Sequence, residues 1–230
     1  EAVVSESGAL ATWTPTESTG RSPKDTVIVK RASSQDTIDW SSPNNVPITE
    51  ETFDIIFEEA LEILSTKEKV YETDRVIGAD STYALPVKVV TDKALHSVFV
   101  DNMFRPVPGG LEKSCFYNNG YTLLALPYDK LKSANYENRL RKMPDGSTSN
   151  MVVAMDMDRK LGVIVGSAYC GSIKKMLFTV MNYLLPFEGI LPLHCSANEG
   201  INGSSALLLG LSGTGKTTLV RLITGQEEPD

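Results

Sequence analysis

Apolar residues recur at three- and four-residue spacing through Phe53, Ile56, Phe57, Ala60, Leu61 and Leu64, the pattern of a helix with one buried face. Thr49, followed by Glu50, Glu51 and Thr52, supplies capping chemistry at its start. The stripe reads as core packing and not as a groove for a partner. Short apolar runs predict strands at 26–29, 76–80, 85–90, 123–126, 151–155 and 161–166. Two more helices are predicted, from about 93 to 104 and from 174 to 185. Pro106, Pro108, Gly109 and Gly110 end the first, and Pro186 closes the second. The polar opening through Thr19 reads as a loop-rich edge, 33–47 as a surface excursion and 143–150 as a turn. Strands and helices interleave without an internal repeat, so the fold class is α/β, or mixed α+β.

Composition narrows the function classes. Hydrophobic content of 41% and charged content of 22% are those of a soluble globular chain of 230 residues. Lys and Arg total 22 against 29 Asp and Glu, a net charge of −7, which argues against nucleic acid as the main partner and leaves ATP open. No apolar run is long enough for a membrane span. The opening Glu1-Ala2-Val3-Val4-Ser5 lacks the basic and apolar regions of a signal peptide. The sequence does not open on Met, as a processed piece would not. Cys115, Cys170 and Cys195 are too few and too scattered for a disulfide scaffold and fit reduced thiols in the cytoplasm. With only two histidines, His96 and His194, and no C-x-x-C pair, structural zinc is disfavoured.

The most specific signal lies near the end. Gly210, Leu211, Ser212, Gly213, Thr214, Gly215, Lys216 and Thr217 spell a complete G-x-x-x-x-G-K-[ST] phosphate-binding loop. The run 205–209 before it reads as a buried strand, and Thr218 onward can open a helix. Glycines let backbone N–H groups crowd around an anion, and a helix N-terminus adds a favourable dipole. Lys216 brings positive charge to the outer phosphates, and the Thr217 hydroxyl is placed for a divalent metal. A glycine-rich turn with an incidental lysine is the lesser reading. A nucleoside triphosphate is the expected ligand.

Three other segments carry candidate chemistry. Thr19-Gly20-Arg21-Ser22-Pro23-Lys24-Asp25 is a tight basic turn whose Arg21 offers a guanidinium fork to a carboxylate or phosphate. Tyr169-Cys170-Gly171-Ser172-Ile173-Lys174-Lys175 sets a phenol and two lysines near a helix start. Leu193-His194-Cys195-Ser196-Ala197-Asn198 places a histidine after an expected strand and upstream of the phosphate loop. Singly each is weak: Arg21 as a surface ion pair, Lys174 and Lys175 as a solvated face and His194 as a satisfied polar residue are equally open. Cys195 reads as a small packing residue in preference to a nucleophile.

Taken together, T-G-R-S-P-K-D, Y-x-G-x-x-K-K leading into Met181-Asn182-Tyr183-Leu184-Leu185-Pro186, H-C-S-A-N and G-L-S-G-T-G-K-T-T-L stand here in the order found in the ATP-dependent phosphoenolpyruvate carboxykinases, which the chain resembles. A weaker match includes Gly78-Ala79-Asp80 and Asn102-Met103-Phe104. The resemblance implies conversion of oxaloacetate and ATP to phosphoenolpyruvate, ADP and carbon dioxide, a gluconeogenic carboxy-lyase reaction on small molecules, with no nucleic acid or membrane partner. It implies that Arg21, Lys174 and Lys175 are catalytic, and that Arg21, Tyr169 and Lys175 contact substrate. ATP would be held by Gly210 through Thr218 with His194 and Lys175. Lys175, His194 and Thr217 would serve metal ions, manganese (Mn2+) and magnesium (Mg2+), and Lys175 would need a depressed pKa to ligate.

The implied architecture is an N-terminal substrate-side domain over 1–204 and the beginning of a P-loop nucleotide-binding domain over 205–230, with the active site in the cleft between. Where the family carries a second glycine and an acidic residue before the lysine pair, this chain has Cys170 and Ser172. The acidic metal ligand and adenine pocket that follow the phosphate loop in the family are not found in 220–230, so the chain corresponds to the N-terminal portion of the enzyme and is expected to be a poor catalyst alone. A non-catalytic nucleotide- or phosphate-binding relative, or another kinase on the same loop, are the alternatives. Monomer and homo-oligomer are both open.

Overall fold

The computed structural model describes residues 2–18, 20–210 and 214–225. The chain divides into two compact units, Glu1–Tyr183 and Leu184–Asp230.

The first unit opens with an exposed ribbon in which β1 (Ala2–Val4) pairs antiparallel with β2 (Leu10–Thr12). Seven further strands follow: β3 (Thr26–Val29), β4 (Val46–Ile48), β5 (Tyr71–Ile77), β6 (Leu85–Thr91), β7 (Tyr121–Leu126), β8 (Val152–Asp156) and β9 (Leu161–Val165). They form one mixed sheet in the order β4-β3-β8-β9-β7-β6-β5. Neighbours run parallel except β8 with β9 and β5 with β6. Direction therefore reverses at β8–β9, in the middle of the sheet.

Three helices cover this sheet: α1 (Glu50–Ser65), α2 (Ala94–Met103) and α3 (Gly171–Leu184). The α1 start is capped as the sequence predicts, with Thr49 Oγ1 accepting the Thr52 N–H at 3.1 Å. Phe53, Ile56 and Ala60 of α1 pack on one face of the sheet against Val27, Val29, Leu124, Leu126, Val152, Ala154, Val163 and Val165. Alternation turns Gly162 and Ile164 to the other face. There the missing side chain of Gly162 leaves room for Met176 of α3; a Cβ would overlap its sulfur and press on Tyr121 and Leu123. Both faces of the central strands are buried, which explains their continuous apolar runs.

The edges depart from the sequence reading. β5 spans Tyr71–Ile77, not 76–80. Its early residues Glu72 and Asp74 are polar and pair with Lys88 on β6, so no apolar run marks them. Past Ile77 the chain turns around Asp80, whose carboxylate accepts the Thr82 N–H at 2.8 Å. β4 lies at the end of the segment expected to be a surface excursion; Pro47 sits within it, tolerated because β4 is an edge strand. The β1–β2 ribbon lies in the segment expected to be loop; three-residue strands with no buried face leave no periodicity to read.

In the second unit β10 (Cys195–Glu199) pairs antiparallel with β11 (Ser205–Leu209), and α4 (Lys216–Ile223) follows. The expectation that 205–209 is buried is not met: Leu207 and Leu209 are 53% and 63% exposed. Its one paired neighbour among the described residues is β10. The strand expected before His194 is likewise absent; pairing begins after it, at Cys195, because Pro192 interrupts the segment.

Phe53 is fully buried, stacked with Phe57 at 6.5 Å between ring centroids and covered by the Arg159 guanidinium at 5.7 Å. Phe53→Ala should lower unfolding free energy by about 3–5 kcal/mol in urea denaturation. A loss below about 1 kcal/mol would mean that α1 does not close the core as described.

Candidate active site

Because β8 and β9 run antiparallel, the carboxyl ends of β6, β7 and β9 share one edge of the sheet with the amino ends of β3 and β8. Segments at this rim are those that a ligand meets in open α/β sheets. Arg21 enters β3 from here, and Tyr169 leaves β9 here. The two segments are tied directly: Ser18 Oγ, buried, donates to the Gly166 carbonyl at 2.9 Å. Gly166 N–H in turn donates to the Leu126 carbonyl at the end of β7 at 3.1 Å. Arg21 itself is exposed on the rim. Its motif begins with Thr19, which lies outside the described residues.

After β9 the chain passes Ser167 and Ala168, both buried, then brings Tyr169 out to 38% exposure before α3 begins at Gly171. The Tyr169 ring lies back over Gly171, where any Cβ would overlap Cε1, Cζ and the phenol oxygen. Gly171 thus sets the position of the phenol, a function the spacing alone did not reveal. Ser172 is buried and shares a 2.7 Å hydrogen bond with Ser167, so a neutral hydroxyl pair fixes the first turn of α3. Lys174 is exposed on the next positions of the helix. Lys175 is half-buried, its ammonium nitrogen 4.7 Å from the Phe178 ring centroid. Burial pushes the Cys170 thiol above its ordinary pKa, which disfavours thiolate at neutral pH.

The remaining expected site residues lie in the second unit. His194 is exposed immediately before β10, and Cys195 is half-buried as its first residue. Gly210 follows β11, and Gly215 caps α4. Leu211, Ser212 and Gly213 lie outside the described residues. Lys216 Nζ donates to the Gly210 carbonyl at 2.7 Å, closing the lysine across the loop. Thr214, Thr217 and Thr218 are exposed around the helix start. Among the described residues, β11 precedes the motif and α4 follows Gly215.

Around the rim the structure adds residues that no motif marked. Tyr128, just past β7, donates to the Trp13 carbonyl at 3.1 Å and stacks on its ring at 6.3 Å. Lys93 lies over the Tyr128 ring at 5.7 Å and pairs with buried Asp92 at 3.0 Å. Lys67 meets Asp129 at 2.5 Å and Asp92 at 3.4 Å. Burial alone would lower the Lys67 pKa, but the hydrogen bond and charge of Asp129, with Asp92, raise it overall. Ser18 and Gly166 are 148 residues apart, so nothing in the local pattern could have paired them.

No group of three or more His, Cys, Asp or Glu side chains is gathered among the described residues. The expected donors are of another kind: the amine of Lys175 and the imidazole of His194, nitrogen donors that suit a transition metal, and the Thr217 hydroxyl, which suits magnesium. The residues present fit those groups chemically.

A family model described as phosphoenolpyruvate carboxykinase matches residues 1–228. Among curated proteins, the phosphoenolpyruvate carboxykinase (ATP) of Brucella suis biovar 1 (strain 1330) is 38% identical over 233 residues, covering 99% of this chain and 40% of its own length. That of Geobacillus kaustophilus (strain HTA426) is 40% identical over 220 residues, covering 95% of this chain and 39% of its own. That of Agrobacterium fabrum (strain C58 / ATCC 33970) is 40% identical over 233 residues, with 99% and 40% covered. The chain spans about 40% of the length of these relatives.

Cys115 is exposed, whereas Cys170 is partly buried with a raised pKa. Iodoacetamide at pH 8 should therefore alkylate Cys170 about tenfold more slowly than Cys115, read by peptide mass spectrometry. Equal rates would contradict the burial of the thiol beside Tyr169.

Proposed function

The chain belongs to the ATP-dependent phosphoenolpyruvate carboxykinase family, and from that premise we propose that the protein converts oxaloacetate and ATP to phosphoenolpyruvate, ADP and carbon dioxide. The observation that carries this reading is the Ser18–Gly166 hydrogen bond, which brings the Arg21 and Tyr169 segments to one rim of the sheet. A carboxylate-binding guanidinium and a phenol beside a lysine pair are what a small oxo-dicarboxylate needs.

In the proposed reaction the Arg21 fork holds a substrate carboxylate, and Tyr169 forms the wall beside it, steadied over Gly171. The carbon–carbon bond to the leaving carboxylate breaks and its electron pair remains as an enolate. The enolate oxygen then bonds to the γ-phosphorus of ATP while the bond to ADP breaks, a transfer governed by positioning and neutralisation of charge. Lys174, exposed on the first turns of α3, would bring positive charge to that oxygen and to the phosphoryl group. Lys216, with the loop at Gly210 and Thr214 through Thr218, would hold the ATP phosphates, and the lysine would exchange the Gly210 carbonyl for phosphate oxygen. Lys175 and His194 would hold manganese, and Thr217 magnesium bound with ATP. Such cations, when bound, supply Lewis-acid stabilisation of the enolate and phosphate oxygens. The beginning of a P-loop nucleotide-binding domain over 205–230, after a substrate-side domain over 1–204, and a role in gluconeogenesis belong to the same proposal. No described helix is long and apolar enough to cross a membrane.

The test is formation of phosphoenolpyruvate by the full natural protein, with oxaloacetate, ATP and manganese. Activity should fall at least about 100-fold in Lys216→Met, which removes the charge on the phosphates. ATP binding without turnover in a metal-replete sample would overturn the carboxykinase reading and leave a phosphate-binding module.

Gly171→Ala should reduce kcat/KM about tenfold or more, because the methyl must displace the Tyr169 ring. Unchanged kcat/KM for oxaloacetate would remove Tyr169 from the substrate wall.

A further inference from the structure

The turn that carries Arg21 is built around a carboxylate that the motif chemistry leaves unused. Pro23–Asp25 forms one turn of 3-10 helix, with the Asp25 N–H donating to the Ser22 carbonyl at 3.2 Å. Thr26 Oγ1 donates to the same carbonyl at 2.9 Å. The Asp25 side chain is fully buried, though it stands only four residues after the exposed Arg21. Its Oδ2 accepts the Ser22 hydroxyl, next to Arg21. Its Oδ1 accepts the Ser149 hydroxyl at 2.8 Å and lies 3.2 Å from Arg141 Nε. Ser149 is itself buried and held by its N–H to the Arg141 carbonyl at 2.8 Å. One carboxylate thus joins the Arg21 turn to the segment that enters β8.

A buried carboxylate is costly unless charge and hydrogen bonds compensate it. Here both oxygens have partners and a guanidinium faces one of them. Such a network holds the turn in one arrangement. A turn that must present a guanidinium at a fixed angle depends on that, since bidentate recognition of a carboxylate is lost with small displacements. Ser18, bonded to Gly166, provides the second anchor, on the other side of Arg21 in sequence.

We propose that Asp25 is a positioning residue for substrate: through Ser22 it sets the orientation of Arg21, with Ser149 and Arg141 as its fixed support. The proposal rests on the carboxykinase reading. Asp25→Asn in the full natural protein keeps the shape and removes the charge that organises Ser22, Ser149 and Arg141. The KM for oxaloacetate should rise about tenfold, while kcat and the KM for ATP change less than about twofold. In an Arg21→Gln background the same substitution should add no further rise, because the group it orients is gone. Ser149→Ala, which removes one hydroxyl and leaves the charge, should raise the KM for oxaloacetate about threefold and carries the test if Asp25→Asn does not fold. A merely structural role would lower the melting temperature or kcat with KM unchanged, or give additive effects with Arg21→Gln; either result overturns the proposal. Unmodified protein that makes no phosphoenolpyruvate would overturn the carboxykinase reading as well, so the two failures are distinguishable.

Discussion

The antiparallel junction of β8 with β9 is the constraint from which the rest of the first unit follows. β3, β4 and β8 run one way, and β6, β7 and β9 the other. A wholly parallel sheet would send the exit of β9 and the entrance of β3 to opposite edges. The reversal sets them on the same edge, separated by the single strand β8. Arg21 and Tyr169 can then share a rim although well over a hundred residues lie between them. Gly162 adds the close approach of α3, the helix that carries Lys174 and Lys175.

Apolar packing makes this sheet stable, but buried polar groups decide how its loops leave it. At the rim these are Ser18, Asp25, Ser149, Ser167 and Ser172, each at most about a twentieth exposed and each bonded to another loop or to its own turn. At the opposite edge Asp156 does equivalent work for Arg31, which reaches it through Nε and Nη2 at 3.1 and 2.8 Å. Glu59 of α1 similarly accepts the Tyr136 hydroxyl at 2.8 Å and the Lys132 N–H at 2.6 Å. Satisfied networks of this kind specify one loop arrangement, because slippage would strand a buried polar group. The residues offered to ligands in the proposed function, Arg21, Tyr169 and Lys174, are the exposed neighbours of these anchors.

What could be read from sequence follows the same division. The α1 stripe and its Thr49 cap, the central strands and the proline-limited helices were legible because burial imposes a period over many residues. The failures lie where burial is partial. β5 hides behind Glu72 and Asp74, β4 contains Pro47, and the β1–β2 ribbon has no inner face. β11 looks buried because Leu207, Leu208 and Leu209 are adjacent, yet within its unit it forms only a hairpin. Local motifs marked the candidate chemistry at Arg21, Tyr169, Lys174 and Lys175, since those residue types need particular neighbours. They could not mark Ser149 or Gly166, whose importance comes from contacts across 124 and 148 residues.

The two departures from the family pattern acquire different physical meanings. Ser172 lies inside, bonded to Ser167, so an acidic side chain there would have to bury a charge against a hydroxyl or swing outward. In this chain the first turn of α3 is neutral up to the lysine pair, and it contains no acidic residue. Cys170 instead sits where the chain passes from the rim into the helix, its thiol kept protonated by burial and adjacent to Tyr169. The first departure is absorbed by a matching hydroxyl. The second places a small, partly buried thiol beside Tyr169, the proposed substrate wall.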